Sequence, residues 1–135
     1  MQIEPYLFFD GRCEEALSFY KEALGAEVGA LMRFRDSPDP TGAPPGNEDK
    51  VMHALVRVGG ASFMASDGHC AGDTSFKGFG LALTVPDATT FDRVFTALEA
   101  GGQIRMPPAQ TFFSPRFGMV EDRFGVLWMV IVGQG

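Results

Sequence analysis

From Val51 to Val58 the chain alternates with a period of two. Val51, His53, Leu55 and Arg57 fall on one side; Met52, Ala54, Val56 and Val58 fall on the other. The second set is wholly apolar and is expected to face a packed layer. The first is mixed, as on a half-wet or ligand-lined face. Gly59-Gly60 is expected to supply the positive-φ positions of a two-residue turn, and Ala61 to Asp67 the return strand, with Ser62, Met64 and Ser66 on one face. Ahead of this hairpin, Pro5 to Phe9 predicts a short strand. A helix follows, capped by Asp10, with a buried stripe of Ala16, Phe19, Tyr20, Ala23 and Leu24, and ended by Gly25. Glu27 to Arg35 predicts a second strand with Val28, Ala30, Met32 and Phe34 on its apolar side. Asp36 to Asp49, rich in proline, glycine and acidic residues, predicts a mobile loop that is either a lid or a surface excursion.

The hairpin has an echo in FGMVEDRFGVLWMVIV, residues 117–132. Aligning Gly60 with Gly125 sets Phe63-Met64 against Trp128-Met129 and His53 against Gly118. The second half also has its own strand, with Leu81, Leu83 and Val85 toward the core. Its helix, residues 88–100, buries Phe91, Val94, Phe95 and Leu98. A short strand, residues 103–106, is expected to be broken by Pro107-Pro108. Each half therefore reads strand, helix, strand, strand, strand. This predicts an α+β domain of two βαβββ modules: module one 1–67, a linker 68–77, and module two 78–135.

The chain has 135 residues and a formal net charge of −6 without a basic block, which argues against nucleic-acid binding. Thirteen Phe against one Trp and two Tyr predict an aromatic-rich interior. Cys13 and Cys70 stand far apart in unrelated contexts and are expected to be free thiols. No signal peptide is visible and no apolar stretch approaches the ~20 residues of a membrane span, so the expectation is a cytoplasmic protein with no membrane partner.

His53 is the leading candidate for chemistry, because imidazole serves as acid or base near neutral pH; the alternative is a histidine that only links structure. Ser66 shares the face of Met64 and is a candidate ligand contact, while Asp67 before Gly68 suits a turn. No strained nucleophile turn surrounds Ser66, so a Ser66–His53–Asp67 triad is not inferred. Arg33 and Arg57 can bind an anion through their planar forks, or pair with acids such as Asp36 or Glu48. Phe112, Phe113 and Phe117 can stack on a planar ligand, with Phe117 better suited to the core. Asp122 is expected to cap a turn beside Glu121, and His69 to be solvated.

YLFFDGRCEEALSFYKEALGAEV, KVMHALVRVGG with MASDG, and TFFSPRFGMVEDRFGVLWMV together resemble the vicinal oxygen chelate superfamily, which includes glyoxalase I, extradiol dioxygenases and bleomycin-resistance proteins. Within it the similarity is to the PhnB-like branch. The resemblance implies modules curled into a cupped mixed sheet with helices outside, a small-molecule cavity on the concave side, and a homodimer. It also implies metal-ligand positions at Pro5, Met64, Gly80 and Met129, with a one-residue slip offering Tyr6 or Leu81. None of these is His, Glu or Asp, so the expectation is no divalent metal and no cofactor. Some PhnB-like proteins carry a demethylubiquinone methyltransferase label; no glycine-rich strand-to-helix motif here supports it. The expected function is to hold a small organic ligand, with His53 as an acid–base group, or else to sequester that ligand without catalysis.

Overall fold

A strand has two sides, and in each half of this protein a helix covers one of them. The computed structural model describes residues 1–38, 45–68 and 74–133, arranged as two compact units, Met1–Thr74 and Ser75–Gly135. The first contains β1 (Tyr6–Phe8), α1 (Cys13–Leu24), β2 (Glu27–Arg33), a 3-10 turn (Phe34–Asp36), β3 (Val51–Val58) and β4 (Ala61–Ser66). The second contains β5 (Leu81–Val85), α2 (Ala88–Glu99), β6 (Gln103–Ala109), β7 (Phe117–Glu121) and β8 (Leu127–Val132). Their sheets run β1-β4-β3-β2 and β5-β8-β7-β6. In each, only the first pair is parallel. These are the two βαβββ modules, each a mixed four-stranded sheet with one helix.

In the first unit Leu7, Ala54, Val56, Phe63 and Ala65 are buried on the side of α1. The helix presents Cys13, Ala16, Leu17, Tyr20 and Ala23 to them. The buried stripe is thus rotated from the expected one: Leu17 and Cys13 are inside, while Phe19 and Leu24 are half-buried. Tyr20 is fully buried and meets Phe63 edge-on, ring centroids 6.1 Å apart. Burying each such side chain stabilises by about 1.5–3 kcal/mol.

Asp10 does not cap α1. Arg12 occupies the cap position and its side chain makes no capping bond. The capping carboxylate comes instead from the end of β4. Asp67 Oδ1 accepts the backbone N–H groups of Gly11 and Cys13, each at 2.8 Å, and Oδ2 accepts that of Val51 at 2.8 Å. Asp67 is buried. In the second unit Asp87 caps α2 locally, accepting Thr90 N–H at 2.8 Å, and its carboxyl is held below the usual range by that bond.

Other departures from the sequence pattern lie on edge strands. Ala30 has φ +47° and the β2–β3 register slips between Gly29 and Met32, so the expected alternation of β2 is broken by a bulge. β6 runs through Pro107 and Pro108 instead of stopping before them. It pairs only with β7, and its register shifts between Met106 and Ala109, where missing N–H groups cost no ladder bond. In the β3–β4 turn only Gly59 has positive φ, at 59°. The β7–β8 turn is longer, with Asp122 Oδ1 accepting Phe124 and Val126 N–H and Oδ2 accepting Trp128 Nε1, as expected for a turn-capping carboxylate. With Met64 matched to Met129, their ladder partners are Leu55 and Met119. The counterpart of His53 is then Phe117 and not Gly118. Gly118 faces α2, where an added Cβ would lie 2.8 Å from Phe95 Cε2.

The Asp36–Asp49 loop falls partly, and His69 and Cys70 wholly, outside the described residues. Among the described residues, no helix is long and apolar enough to cross a membrane.

Asp67→Ala leaves three backbone donors without their acceptor and should cost about 3 kcal/mol, lowering Tm by roughly 10 °C. Thermal unfolding followed by circular dichroism reads this directly. An unchanged Tm would show that Asp67 does not hold β4, α1 and β3 together.

Candidate functional site: a tyrosine–histidine pair on the open sheet face

The period of two that sends Ala54 and Val56 under α1 sends His53, Leu55 and Arg57 to the opposite face of β3. The ladder adds the neighbours. Met64 on β4 is the partner of Leu55 and of Tyr6, Ser66 is the partner of Phe8, and Met32 on β2 is the partner of His53. Tyr6 and His53 stand on the two strands that flank β4. The Tyr6 hydroxyl lies 2.9 Å from His53 Nδ1. Tyr6 is stacked on Phe8, with centroids 4.9 Å apart and planes at 19°, and its ring is tilted against the imidazole at 5.7 Å. Tyr6 is 37% and Phe8 50% exposed, and His53 is half-buried. Burial pushes the Tyr6 phenol above its ordinary pKa, the Cys13 thiol adds to this, and a hydrogen bond from Ser66 opposes it. The phenol is therefore neutral at physiological pH.

The remaining candidates are placed as follows. Ser66 is buried; its hydroxyl accepts Gly68 N–H at 2.9 Å and reaches the Val51 carbonyl at 3.4 Å. Asp67 gives its oxygens to backbone N–H groups, so it does not orient His53. The Arg33 guanidinium is paired with Glu14 at 2.6 Å and donates to the Asp49 carbonyl at 2.7 Å. The hydrogen bond from Arg33, helped by its charge, holds the Glu14 carboxyl below the usual range. Asp36 accepts the Arg33 backbone N–H at 3.0 Å. Arg57 is exposed on the face of His53. Phe113, in the second unit, is 44% exposed and edge-on to both Phe112 and Phe117. It sits in a turn that Thr111 Oγ1 closes by accepting Ser114 N–H. Phe117 is buried. Cys13 is buried, and desolvation beside Asp67 and Glu14 keeps its thiol protonated.

The alternation of β3 anticipated the face of His53 but not its contact with Tyr6. Tyr6 entered only as a slipped metal-ligand position, because a strand of three residues is too short for its alternation to fix a register.

A model of the family described as "3-demethylubiquinone-9 3-methyltransferase" matches residues 1–131. The chain belongs to this PhnB-like family. It is 36% identical to protein YjdN of Escherichia coli over 140 residues, covering 98% of this chain and 95% of YjdN. The crystal structure of PA1353 from Pseudomonas aeruginosa is 43% identical with a TM-score of 0.87, covering 100% of this chain and 99% of that one. A Bacillus cereus structure described as a putative 3-demethylubiquinone-9 3-methyltransferase, PhnB protein, is 29% identical with a TM-score of 0.81, covering 98% of this chain and 100% of that one. At the level of fold alone, the chain matches a glyoxylase/bleomycin resistance protein/dioxygenase domain from Frankia, with a TM-score of 0.68 at 16% identity, covering 98% of this chain and 95% of that one.

The resemblance implies metal-ligand positions on the first and last strand of each module, and the ladders give the residues paired there. Tyr6 pairs with Met64 and Ala82 with Met129, so Tyr6 replaces Pro5, and Ala82 replaces both Gly80 and Leu81. A neutral phenol, two thioethers and a methyl group do not fit a divalent ion of the family's enzymes. Among the described residues, no three His, Cys, Asp or Glu side chains cluster as ligands. The strand-to-helix turns, residues 9–12 and 86–87, contain one glycine between them, Gly11, and do not fit a nucleotide-type methyl donor.

Metal analysis of PhnB-like protein purified without chelator should give less than one equivalent of zinc, nickel, iron or manganese. Stoichiometric metal that is lost on replacing Met64 and Met129 would overturn the assignment of these positions.

Proposed function

We propose that the protein binds a small organic molecule on the open face of the β1-β4-β3-β2 sheet, with His53 as its polar contact and acid–base group. The observation that carries this reading is the 2.9 Å contact between the Tyr6 hydroxyl and His53 Nδ1 on a half-exposed face. A structural histidine is ordinarily satisfied inside a packed core. This one lies opposite the helix, beside a second titratable group, in surroundings supplied by Phe8, Leu55 and Met64. A neutral phenol orienting an imidazole is a workable arrangement for general acid–base chemistry. Arg33 and Ser66 remain secondary contacts in this proposal, while Phe113 is a separate candidate contact on the second unit. Arg33 would have to exchange its bonds to Glu14 and Asp49 to meet a ligand.

A second reading is sequestration without turnover. It is favoured by the apolar Phe8, Leu55 and Met64 around His53 and Tyr6, to which no carboxylate is hydrogen-bonded among the described residues. The two readings differ in whether the ligand leaves unchanged.

We also propose a cytoplasmic homodimer. Exposed apolar side chains on the edge strands, among them Leu31, Met32, Ile104 and Met106, support self-association. A specific dimer should bury at least ~1,200 Å². Light scattering at micromolar concentration should give twice the chain mass, and a monomer would count against assembly.

Native mass spectrometry of protein isolated from its own cells should reveal a small organic adduct that denaturation releases. His53→Ala should reduce its retention at least about tenfold while shifting Tm by only a few degrees. Full retention in the variant, or unfolding of the variant, would assign His53 a structural role.

A further inference from the structure

The Tyr6–His53 contact also specifies what kind of atom the ligand brings. A neutral imidazole carries one proton, and the hydrogen bond at one ring nitrogen decides which nitrogen holds it. The phenol is held protonated by burial. Its own proton is therefore available to His53 Nδ1, 2.9 Å away. No carboxylate is hydrogen-bonded to either ring nitrogen among the described residues. The second ring nitrogen likewise has no hydrogen-bond partner among them.

We infer that Tyr6 is a positioning residue that locks neutral His53 with its proton on Nε2, and that the ligand of this face is an apolar molecule bearing a hydrogen-bond-accepting oxygen, a carbonyl or enolate. This rests on the binding role proposed for the face and adds its chemical class. Nδ1 accepts from the phenol, so the imidazole offers a donor outward. An ammonium group, which has no acceptor lone pair, would meet N–H against N–H and be refused. The stacked Tyr6 and Phe8 rings, with Leu55 and Met64 beside them, suit a flat hydrocarbon body next to that oxygen. In the resting state His53 then donates a hydrogen bond that polarises an oxygen and does not remove a proton.

The test is nitrogen–proton correlation NMR of the histidine side chains, with the His53 signals assigned by comparison with His53→Ala. The wild-type ring should show the Nε2–H tautomer, with Nδ1 unprotonated. Tyr6→Phe keeps the ring and its stack on Phe8 and should yield a tautomer mixture. A wild-type ring protonated on Nδ1, or an unchanged tautomer in Tyr6→Phe, overturns the lock. If Tyr6→Phe fails to fold, the wild-type tautomer alone decides. The ligand class is read with three probes of one shape. 1-Indanone should shift the Nε2–H resonance and bind about five- to tenfold tighter than indane, with 1-aminoindane weakest. Equal binding of the three, or no shift with 1-indanone, overturns the class. An Nε2–H ring in protein that carries no natural ligand supports the lock while ending the binding reading. An Nδ1–H ring in protein that does carry one overturns the lock and leaves binding intact.

Discussion

The first unit depends on one buried carboxylate. Asp67 stands where β4 ends, and its two oxygens gather backbone N–H groups from the turn before α1, from the first residue of α1 and from the first residue of β3. An ionised group is costly to bury alone, but three convergent donors replace its water, and charge-assisted bonds of this kind are stronger than neutral ones. The same residue closes the ladder through the backbone, its own N–H donating to the Val51 carbonyl at 2.8 Å. One side chain thus sets where the helix begins and how β3 enters the sheet. His53 lies two residues beyond Val51, so its place on the open face follows from the same anchor.

The second constraint is that a strand has only two sides. Once Ala54, Val56, Phe63 and Ala65 are buried under α1, the intervening residues have no helix to meet. In the second unit that side carries Ala82, Thr84, Met119, Met129 and Ile131. In the first it carries a phenol and an imidazole in contact. Where the family's metal enzymes need hard donors, this chain has thioethers. At one of these positions stands Tyr6, whose hydroxyl meets His53 across β4.

The hairpin at its two-residue turn, the doubled module, the C-terminal glycine of α1 and the helix face of β3 were legible in the sequence, because each is set by neighbours within a few positions. The features that were not legible are those that join distant positions. Asp67 reaches a helix 54 residues upstream in the sequence, which no local capping pattern announces. Tyr6 meets His53 across 47 residues and an intervening strand. The bulge at Ala30 places a non-glycine residue at positive φ, which strand alternation does not anticipate. Pro107 and Pro108 looked like the end of a strand because edge status, which makes them tolerable, is a property of the assembled sheet. The Arg33 fork was weighed as an anion site or as a partner of Asp36 or Glu48; its acid is Glu14 on α1, a pairing visible only in three dimensions.

The most direct measurement of the central claim is a crystal structure of protein taken from its own cells with any natural ligand retained. It should show a small molecule on the open face of the first sheet, an oxygen within roughly 3 Å of the His53 nitrogen that Tyr6 does not contact. A ligand seated elsewhere, or His53 satisfied at both nitrogens by its own chain, would contradict the account.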